Sequence, residues 1–456
     1  MKIDALVFEI GSTTTLVNAF SGLTTDNPEF LGQGQAKTTV LEGDVTIGLN
    51  DAIEDLKRKL EINDLEAQEV FATSSAAGGL KVTVHGLVYD MTVKAAQNAA
   101  LGAGANLHLI TSGKLTENDI EKIKSIKPNI ILIAGGVDYG EKETALYNSE
   151  KIASLCLNIP VIYAGNCIIQ DEVKQIFAQF KQDSYLFITD NVYPRIDELN
   201  VLKCREIIQS VFEKHITQAR GMEKVRSIVN HHIIPTPGAV MESALLLYKH
   251  MGDLIVFDVG GATTDLHSVT PGNQEVSKKQ VSPEPLAKRT VEGDLGVYIN
   301  RENLIKKISI PVLCQELQYT ETELEEVLTN YQVYPNSKQL PLVERLTFEA
   351  IKIALERHAG NFRHLYGASG RITIAEGKDL TNVKYVIGTG GALTRLPNRE
   401  MILQKVLNIH NPLKLLPPKE AQILIDNNYI MASCGVLSLK YPEGAYKLLV
   451  KSFQSR

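Results

Sequence analysis

Residues 254–265, LIVFDVGGATTD, bring together the side chains best suited to phosphate chemistry in this chain. An apolar run (Leu254, Ile255, Val256, Phe257) reads as a buried strand that delivers Asp258 to its end. Gly260, Gly261 and Ala262 then let the backbone approach a ligand and turn N–H groups towards it, with Thr263, Thr264 and Asp265 following. The two carboxylates suit a hard cation such as Mg²⁺ or a polarised water. A similar stretch opens the chain: Glu9, Ile10, Gly11, Ser12, Thr13, Thr14 and Thr15, with Glu9 standing where Asp258 stands in the later copy. A strand, a tight turn with four hydroxyls and a second strand (16–20) offer N–H and O–H donors to phosphate oxygens. Either stretch alone also fits a plain hairpin; the repetition is what makes them informative.

Further strands end in glycine. Residues 383–387 lead to Gly388, Thr389, Gly390 and Gly391, a bed suited to a flat base and ribose lying on backbone. Residues 129–134 lead to Gly135 and Gly136, within a stretch from about 81 that alternates strands (106–110, 129–134, 160–164) with helices (92–102, 149–157, 171–180). That alternation predicts a small parallel sheet, whose Gly-rich strand ends are where such sheets bind ligands or partners. Thr116 with Asp119 forms a helix-starting box. Helices are also expected from Asn50–Asp51 to Leu60, from Thr236–Pro237 to Gly252, over 348–359 and over 431–437, with polar helices around Pro311, Pro335 and Pro341.

The 456 residues call for more than one core. Lys+Arg 47 against Asp+Glu 53, net −6, with no long basic run, argues against a nucleic-acid partner. No apolar stretch approaches the roughly 18 residues of a membrane span, and no signal-peptide pattern opens the chain. The five cysteines are scattered without a C-x-x-C pair, which fits buried thiols in a reducing cytoplasm. His231 and His232 lack a spaced third ligand.

EIGSTTT (9–15), TPGAVMESALLLY (236–248), DVGGATTD (258–265), IGTGGAL (387–393) and the closing helix stand in the order of the phosphate-1, connect-1, phosphate-2, adenosine and connect-2 motifs. The chain therefore resembles the actin, sugar-kinase and Hsp70-type ATPase superfamily over nearly its whole length. That implies an α/β, actin-like (ribonuclease H-like) fold of two lobes with nucleotide between them. The first motif usually carries Asp; Glu9 is a methylene longer, so its contact with Mg²⁺ or water is shifted or indirect. SSAAGGL (74–80), AALGAGA (99–105), LIAGGVDYGEKE (132–143), VIYAGN (161–166), RTVEGDLG (289–296) and GKDLTNVKYVIGTGG (377–391) look like the narrower MutL/GlmL family. Its members are accessory proteins of adenosylcobalamin-dependent glutamate mutase and are unrelated to the mismatch-repair protein of the same name. Val137 and Tyr139 depart from the Thr and Gly more often found there.

The resemblance implies a cytoplasmic, ATP-driven reactivating chaperone that lets intact coenzyme replace damaged cobalamin in a glutamate-mutase-like partner. Its ATPase would use Gly11, Ser12, Thr13, Thr14, Gly260, Gly261, Ala262 and Thr263 on phosphates. Asp258, Glu9 and Asp265 would serve Mg²⁺ and its water shell. Gly388, Gly390 and Gly391 would bed adenosine, with Glu292 and Asp294 near base or ribose. The expected division is lobe I (1–80 and 186–235), an inserted α/β module (81–185) as the bet for the partner surface, lobe II (236–430), and a closing helix (431–456) returning to lobe I. Self-association into a homodimer is left open. Two other functions compete: a small-molecule kinase, for which no catalytic Asp in a sugar-contacting loop is evident, and a non-hydrolysing scaffold for nucleotide or corrinoid. A direct cobalamin role is weakened by the lack of D-x-H-x-x-G; the nearest string, 265–270, lacks the Gly.

Overall fold

A computed structural model describes residues 1–11, 14–39, 44–75, 81–103, 105–216, 222–367 and 370–455. The chain divides into two compact units: residues 1–21, 30–239 and 282–285, and residues 22–29, 240–281 and 286–456. The closing residues 431–456 fall in the second unit.

The first unit starts with β1 (Lys2–Ile10), β2 (Thr14–Ser21) and β3 (Glu29–Lys37), followed by α1 (Val45–Lys59) and β4 (Glu66–Ser74). β1 is buried along most of its length because its residues run apolar on both faces, as a central strand covered by helices requires. α1 begins at Val45, ahead of Asn50, because Asp44 caps it: the carboxylate accepts from Thr46 N at 2.8 Å.

The chain then builds the inserted module: β5 (Lys81–Gly86), α2 (Lys94–Gly102), β6 (Asn106–Ser112), α3 (Glu117–Ile126), β7 (Ile130–Ile133), α4 (Glu143–Ser154), β8 (Val161–Tyr163), α5 (Gln170–Gln179) and β9 (Leu186–Ile188). Its five strands are all parallel, in the order β6-β5-β7-β8-β9. The Thr116–Asp119 capping box at the start of α3 is present in both directions. α4 begins at Glu143 rather than 149, where the Glu141 carboxylate accepts from Thr144 N at 2.8 Å. After α6 (Leu202–Ile216) and α7 (Met222–Ile228), β10 (Ile233–Pro235) returns to the first sheet, whose order is β10-β4-β1-β2-β3.

α8 (Thr236–Met251) leads into the second unit, ending at Gly252 with φ +89°. There β11 (Leu254–Val259), β12 (Thr264–Val269) and β13 (Ala287–Glu292), with the short α9 (Gln274–Ser277) between the last two, are followed by four helices. These are α10 (Arg301–Ile308), α11 (Ile310–Leu317), α12 (Glu321–Thr329) and α13 (Leu340–His358). Pro311 and Pro341 sit in the first turns of α11 and α13, where a missing N–H costs nothing, so α13 starts a full two turns before residue 348. A hairpin of β14 (Asn361–Gly367) and β15 (Gly370–Glu376), which the sequence did not announce, precedes β16 (Tyr385–Thr389), α14 (Gly390–Arg395), α15 (Arg399–Leu407), β17 (Gln422–Ile425), α16 (Met431–Ser438) and α17 (Pro442–Gln454).

The second sheet runs β13-β12-β11-β16-β17. In both units the opening strand pairs antiparallel with the strand after it and parallel with a later one. Read from the meander edge, both orders are third, second, first, fourth, fifth. This repeated α/β plan is the architecture that the actin-like resemblance implies.

Candidate functional site

Both opening hairpins are closed in the same register by the same hydrogen bond. Ile10 is opposite Thr15 and Val259 opposite Thr264. Gly11 N donates to Thr14 O at 3.0 Å, and Gly260 N donates to Thr263 O at 2.9 Å. Ser12 and Thr13 lie outside the described residues.

The second tip is braced from behind. Val297 N donates to Gly260 O (3.3 Å), while Tyr298 N and Ile299 N donate to Gly261 O (2.9 and 2.7 Å). Asn300 Nδ2 donates to Ala262 O at 2.7 Å and to Gly293 O at 2.8 Å. Every carbonyl from Gly260 to Thr263 is thus occupied. The N–H groups of Gly261, Ala262 and Thr263, by contrast, find no acceptor among the described residues. Successive uncommitted amides of this kind form an anion-binding concavity. Gly296 makes the brace fit: a Cβ there would stand 2.3 Å from the Ala262 carbonyl.

Asp258, the last residue but one of β11, stands beside this tip, half-buried, directly across from Asp265 and, on the parallel side, Thr389. Its carboxylate has no hydrogen bond or ion pair among the described residues. Burial, with Asp265 adding to it, Arg289 opposing and Asp426 adding again, pushes Asp258 up to about 7.

Asp265 is committed elsewhere. It is buried and receives Arg289 Nη2 at 3.1 Å, with Thr263 Oγ1 at 3.5 Å. Burial still raises its pKa, although the guanidinium opposes the shift. Glu9, 5% exposed, receives Asn18 Nδ2 at 3.1 Å, and Asn18 Oδ1 in turn receives Gln33 Nε2 at 2.9 Å, one residue from each of β1, β2 and β3.

Gly390 has φ +83°, and a Cβ would lie 2.4 Å from Asp258 Oδ1 and 2.6 Å from Val259 N. Only glycine lets α14 start against the end of β11. Nothing stands within 4 Å of a Cβ built on Gly391, so its surface is open. Gly388 is a packing position instead, buried against Leu403, Ile425 and Leu393. Glu292 and Asp294 are clamped together by Arg357: Nη1 donates to Glu292 Oε2 and to Asp294 Oδ1 (2.8 Å), and Nη2 to Asp294 Oδ2 (3.1 Å). The guanidinium holds Asp294 below the usual carboxylate range, whereas burial pushes Glu292 up despite it. Among the described residues no group of three or more His, Cys, Asp and Glu is placed to hold a metal ion.

Three contributors escaped the sequence reading. Asn300 and Arg357 carry no local signal, since each acts by reaching a turn distant in sequence. Asp426 does carry one: it follows the apolar residues of β17 as Asp258 follows the apolar run 254–257. It is fully buried and accepts from Thr389 Oγ1 (2.9 Å), Ile430 N (3.1 Å), Met431 N (2.9 Å) and Ser452 Oγ (2.7 Å), tying β16 to the start of α16 and to α17.

Duplicated sheets, each led by a glycine hairpin, with free amides and an unpartnered carboxylate on the second, define the α/β class to which this chain belongs. A family model described as "MutL protein" matches residues 5–453, and this chain belongs to that family. It is 37% identical over 462 residues to Protein MutL of Clostridium tetanomorphum, covering 98% of each chain. Solved structures with distant likeness include nucleotide-free acetone carboxylase (TM-score 0.42, 10% identity, 96% of this chain and 70% of that one). Another is a nucleotide-free diol dehydratase-reactivating factor (TM-score 0.38, 11% identity, 96% and 99%). A third is component A of the Acidaminococcus fermentans (R)-2-hydroxyglutaryl-CoA dehydratase (TM-score 0.35, 8% identity, 97% and 99%). No helix among the described residues is long and apolar enough to cross a membrane.

Proposed function

We propose that this protein is an ATPase that reactivates an adenosylcobalamin-dependent mutase of the glutamate-mutase type. The observation that carries the nucleotide part is the tip at 260–263, where the carbonyls are engaged from behind and the amides of Gly261, Ala262 and Thr263 are left for an anion. Those amides take phosphate oxygens, and Gly11, Ser12, Thr13 and Thr14 of the matching turn take others. Asp258 would be the principal acid for Mg²⁺, with Glu9 and Asp265 assisting indirectly. The fit rests on Asp258 itself: lacking a protein partner, it is part-protonated near neutral pH and becomes fully ionised beside a cation. Bound Mg²⁺ would supply neutralisation of phosphate charge.

The chain's remaining work is positioning. The tip amides fix the phosphates without reorganising, and the brace at 297–300 keeps them aimed. Gly390 and Gly391 present bare backbone for the adenosine, and Arg357 fixes Glu292 and Asp294 beside it. No strong nucleophile is required, since water serves as the attacking group.

The mutase part rests on membership of the MutL family and on the resemblance of the motifs to accessory proteins of glutamate mutase. Nucleotide turnover here would loosen a mutase that holds inactive cobalamin, so that intact coenzyme can enter. The test is incubation of cyanocobalamin-blocked glutamate mutase with this protein, Mg²⁺, fresh coenzyme and either ATP or a non-hydrolysable analogue. Recovery of activity with ATP alone is expected; recovery with both nucleotides, or with neither, overturns the reading. ATP turnover without an added acceptor distinguishes it from a small-molecule kinase.

A further inference from the structure

Residues 297–300 aim the turn at 260–263, and a second layer of side chains stands behind them. Tyr331, in the connection between α12 and α13, donates from its hydroxyl to Val297 O at 2.8 Å. Arg301, the first residue of α10, donates from Nη1 to Tyr298 O at 2.9 Å. The Arg301 guanidinium lies 5.0 Å from the centre of the Tyr331 ring. That ring stacks in turn on Tyr298, with centroids 6.1 Å apart and planes at 24°. A tyrosine that only filled this space could be phenylalanine; the hydroxyl adds one thing, the bond to Val297 O.

Which peptide each bond lands on gives the layer its meaning. Val297 C=O and Tyr298 N–H belong to one resonance-coupled peptide, and Tyr298 C=O and Ile299 N–H to the next. Both of those N–H groups donate to Gly261 O, at 2.9 and 2.7 Å. Gly261 C=O shares its own peptide with Ala262 N–H, one of the amides without an acceptor among the described residues. Two hydrogen-bonded chains therefore converge on Ala262 N–H, one starting at the Tyr331 hydroxyl and the other at the Arg301 cation. Each bond in such a chain strengthens the next by about 10–30%, and the link from a guanidinium is charge-assisted.

The neighbouring amides are served less well. Gly261 N–H has behind it the single 3.3 Å bond from Val297 N to Gly260 O, and Thr263 N–H the neutral Asn300 amide on Ala262 O at 2.7 Å. Little competes for the two donors. Arg301 Nε is buried without a hydrogen-bond partner, and its ion-pair contact, 3.8 Å from Glu302 Oε1, is with an exposed side chain. Burial pushes the Tyr331 hydroxyl up, against the opposing Arg301 charge, so it keeps its proton and donates at any working pH.

We propose that Arg301 and Tyr331 are positioning residues for phosphate binding, acting through two peptide relays that make Ala262 N–H the strongest anion donor of the turn. The inference rests on the ATPase reading and adds to it the residues that tune its phosphate site.

The full-length protein tests it with three variants. Tyr331→Phe keeps the ring and removes the hydroxyl, Arg301→Met keeps a stem on the ring and removes the charge, and Arg301→Lys restores the charge. In steady-state hydrolysis KM for ATP is expected to rise roughly threefold in Tyr331→Phe and roughly tenfold in Arg301→Met. In both, kcat should stay within about twofold of wild type, and Arg301→Lys should recover most of the loss. Isotope-labelled alanine gives a readout that packing alone would not move: the Ala262 amide proton, in the ligand-free protein, is expected to shift upfield in Tyr331→Phe and Arg301→Met. An Ala262 resonance unmoved in both overturns the relay whatever KM does, and so does a KM equal to wild type in both; either result leaves the ATPase standing. A wild-type chain that neither hydrolyses ATP nor binds it in calorimetry overturns the function and these two roles together.

Discussion

The two opening hairpins share a register, a tip length and a place in their sheets, and differ in what surrounds the acid at the end of the first strand. Glu9 is held by Asn18, which is held by Gln33. Asp258 meets no protein donor among the described residues and is pushed up to about 7. Residues 297–300 back the second tip. On one repeated plan, the first acid therefore has a protein partner and the second has none among the described residues. A satisfied polar group stabilises its unit, whereas an unsatisfied one is a local cost that function explains.

Replacement of Asp258 is the sharpest way to break that contrast. Asp258→Ala should reduce ATP hydrolysis by roughly 100- to 1000-fold, as loss of a principal charge-positioning group does. Asp258→Asn should do nearly as much damage while stabilising the unliganded protein. The sign follows from the raised pKa. The folded state holds the proton more tightly than the unfolded chain, whose carboxyl titrates near 3.8, so stability is full below about 4 and is lost as pH rises towards 7. Residual solvent contact limits the loss to about 1–3 kcal/mol. Urea denaturation of Asp258→Asn and wild type at pH 4 and pH 8 checks this: equal stability at both pH values would mean that Asp258 is not desolvated.

Smaller effects should come from the parts that aim the second tip. Gly390→Ala forces a Cβ against Asp258 Oδ1 and the Val259 backbone at a positive φ, so a loss of about 2 kcal/mol of stability is expected. Nucleotide affinity, measured by calorimetry, should fall with it. Asn300→Ala strips the Ala262 and Gly293 carbonyls of their donor. At about 1–1.5 kcal/mol for such a loss, KM for ATP should rise roughly tenfold with kcat little changed. A kcat loss with KM intact would place the brace in the chemical step instead.

What the sequence disclosed was what is local. Apolar strands ending in Asp-x-Gly-Gly or Glu-x-Gly, the Thr116–Asp119 box and the Thr236–Pro237 helix start each depend on neighbours a few residues apart. The hairpin after α13 was missed because β14 and β15 are mixed: Leu365 and Ile372 are exposed, and among the residues whose burial is described only Ala375 is buried, so no clear core face announces them. Arg289 explains why the second carboxylate of DVGGATTD is harder to read. Its guanidinium comes from β13, 24 residues on, and only the folded sheet shows Asp265 engaged by it. The same holds for Arg357, which reaches Glu292 and Asp294 across 65 and 63 residues.

The mildest test returns to Glu9. In Glu9→Gln the amide oxygen still accepts from Asn18, so the relay across β1, β2 and β3 survives and the fold should be unaffected. Only the negative charge is removed. If Glu9 meets the cation through water, as its extra methylene and its bond to Asn18 suggest, the cost should be about 1 kcal/mol, roughly fivefold in hydrolysis. That cost should shrink as Mg²⁺ is raised, because the deficit lies in ion affinity. Glu9→Asp should hurt more than Glu9→Gln, since the shorter side chain withdraws from Asn18 and leaves that buried amide without its acceptor. Were Glu9→Gln as damaging as Asp258→Asn at saturating Mg²⁺, the two turns would be equal partners, and the division between a satisfied acid and a reserved one would be wrong.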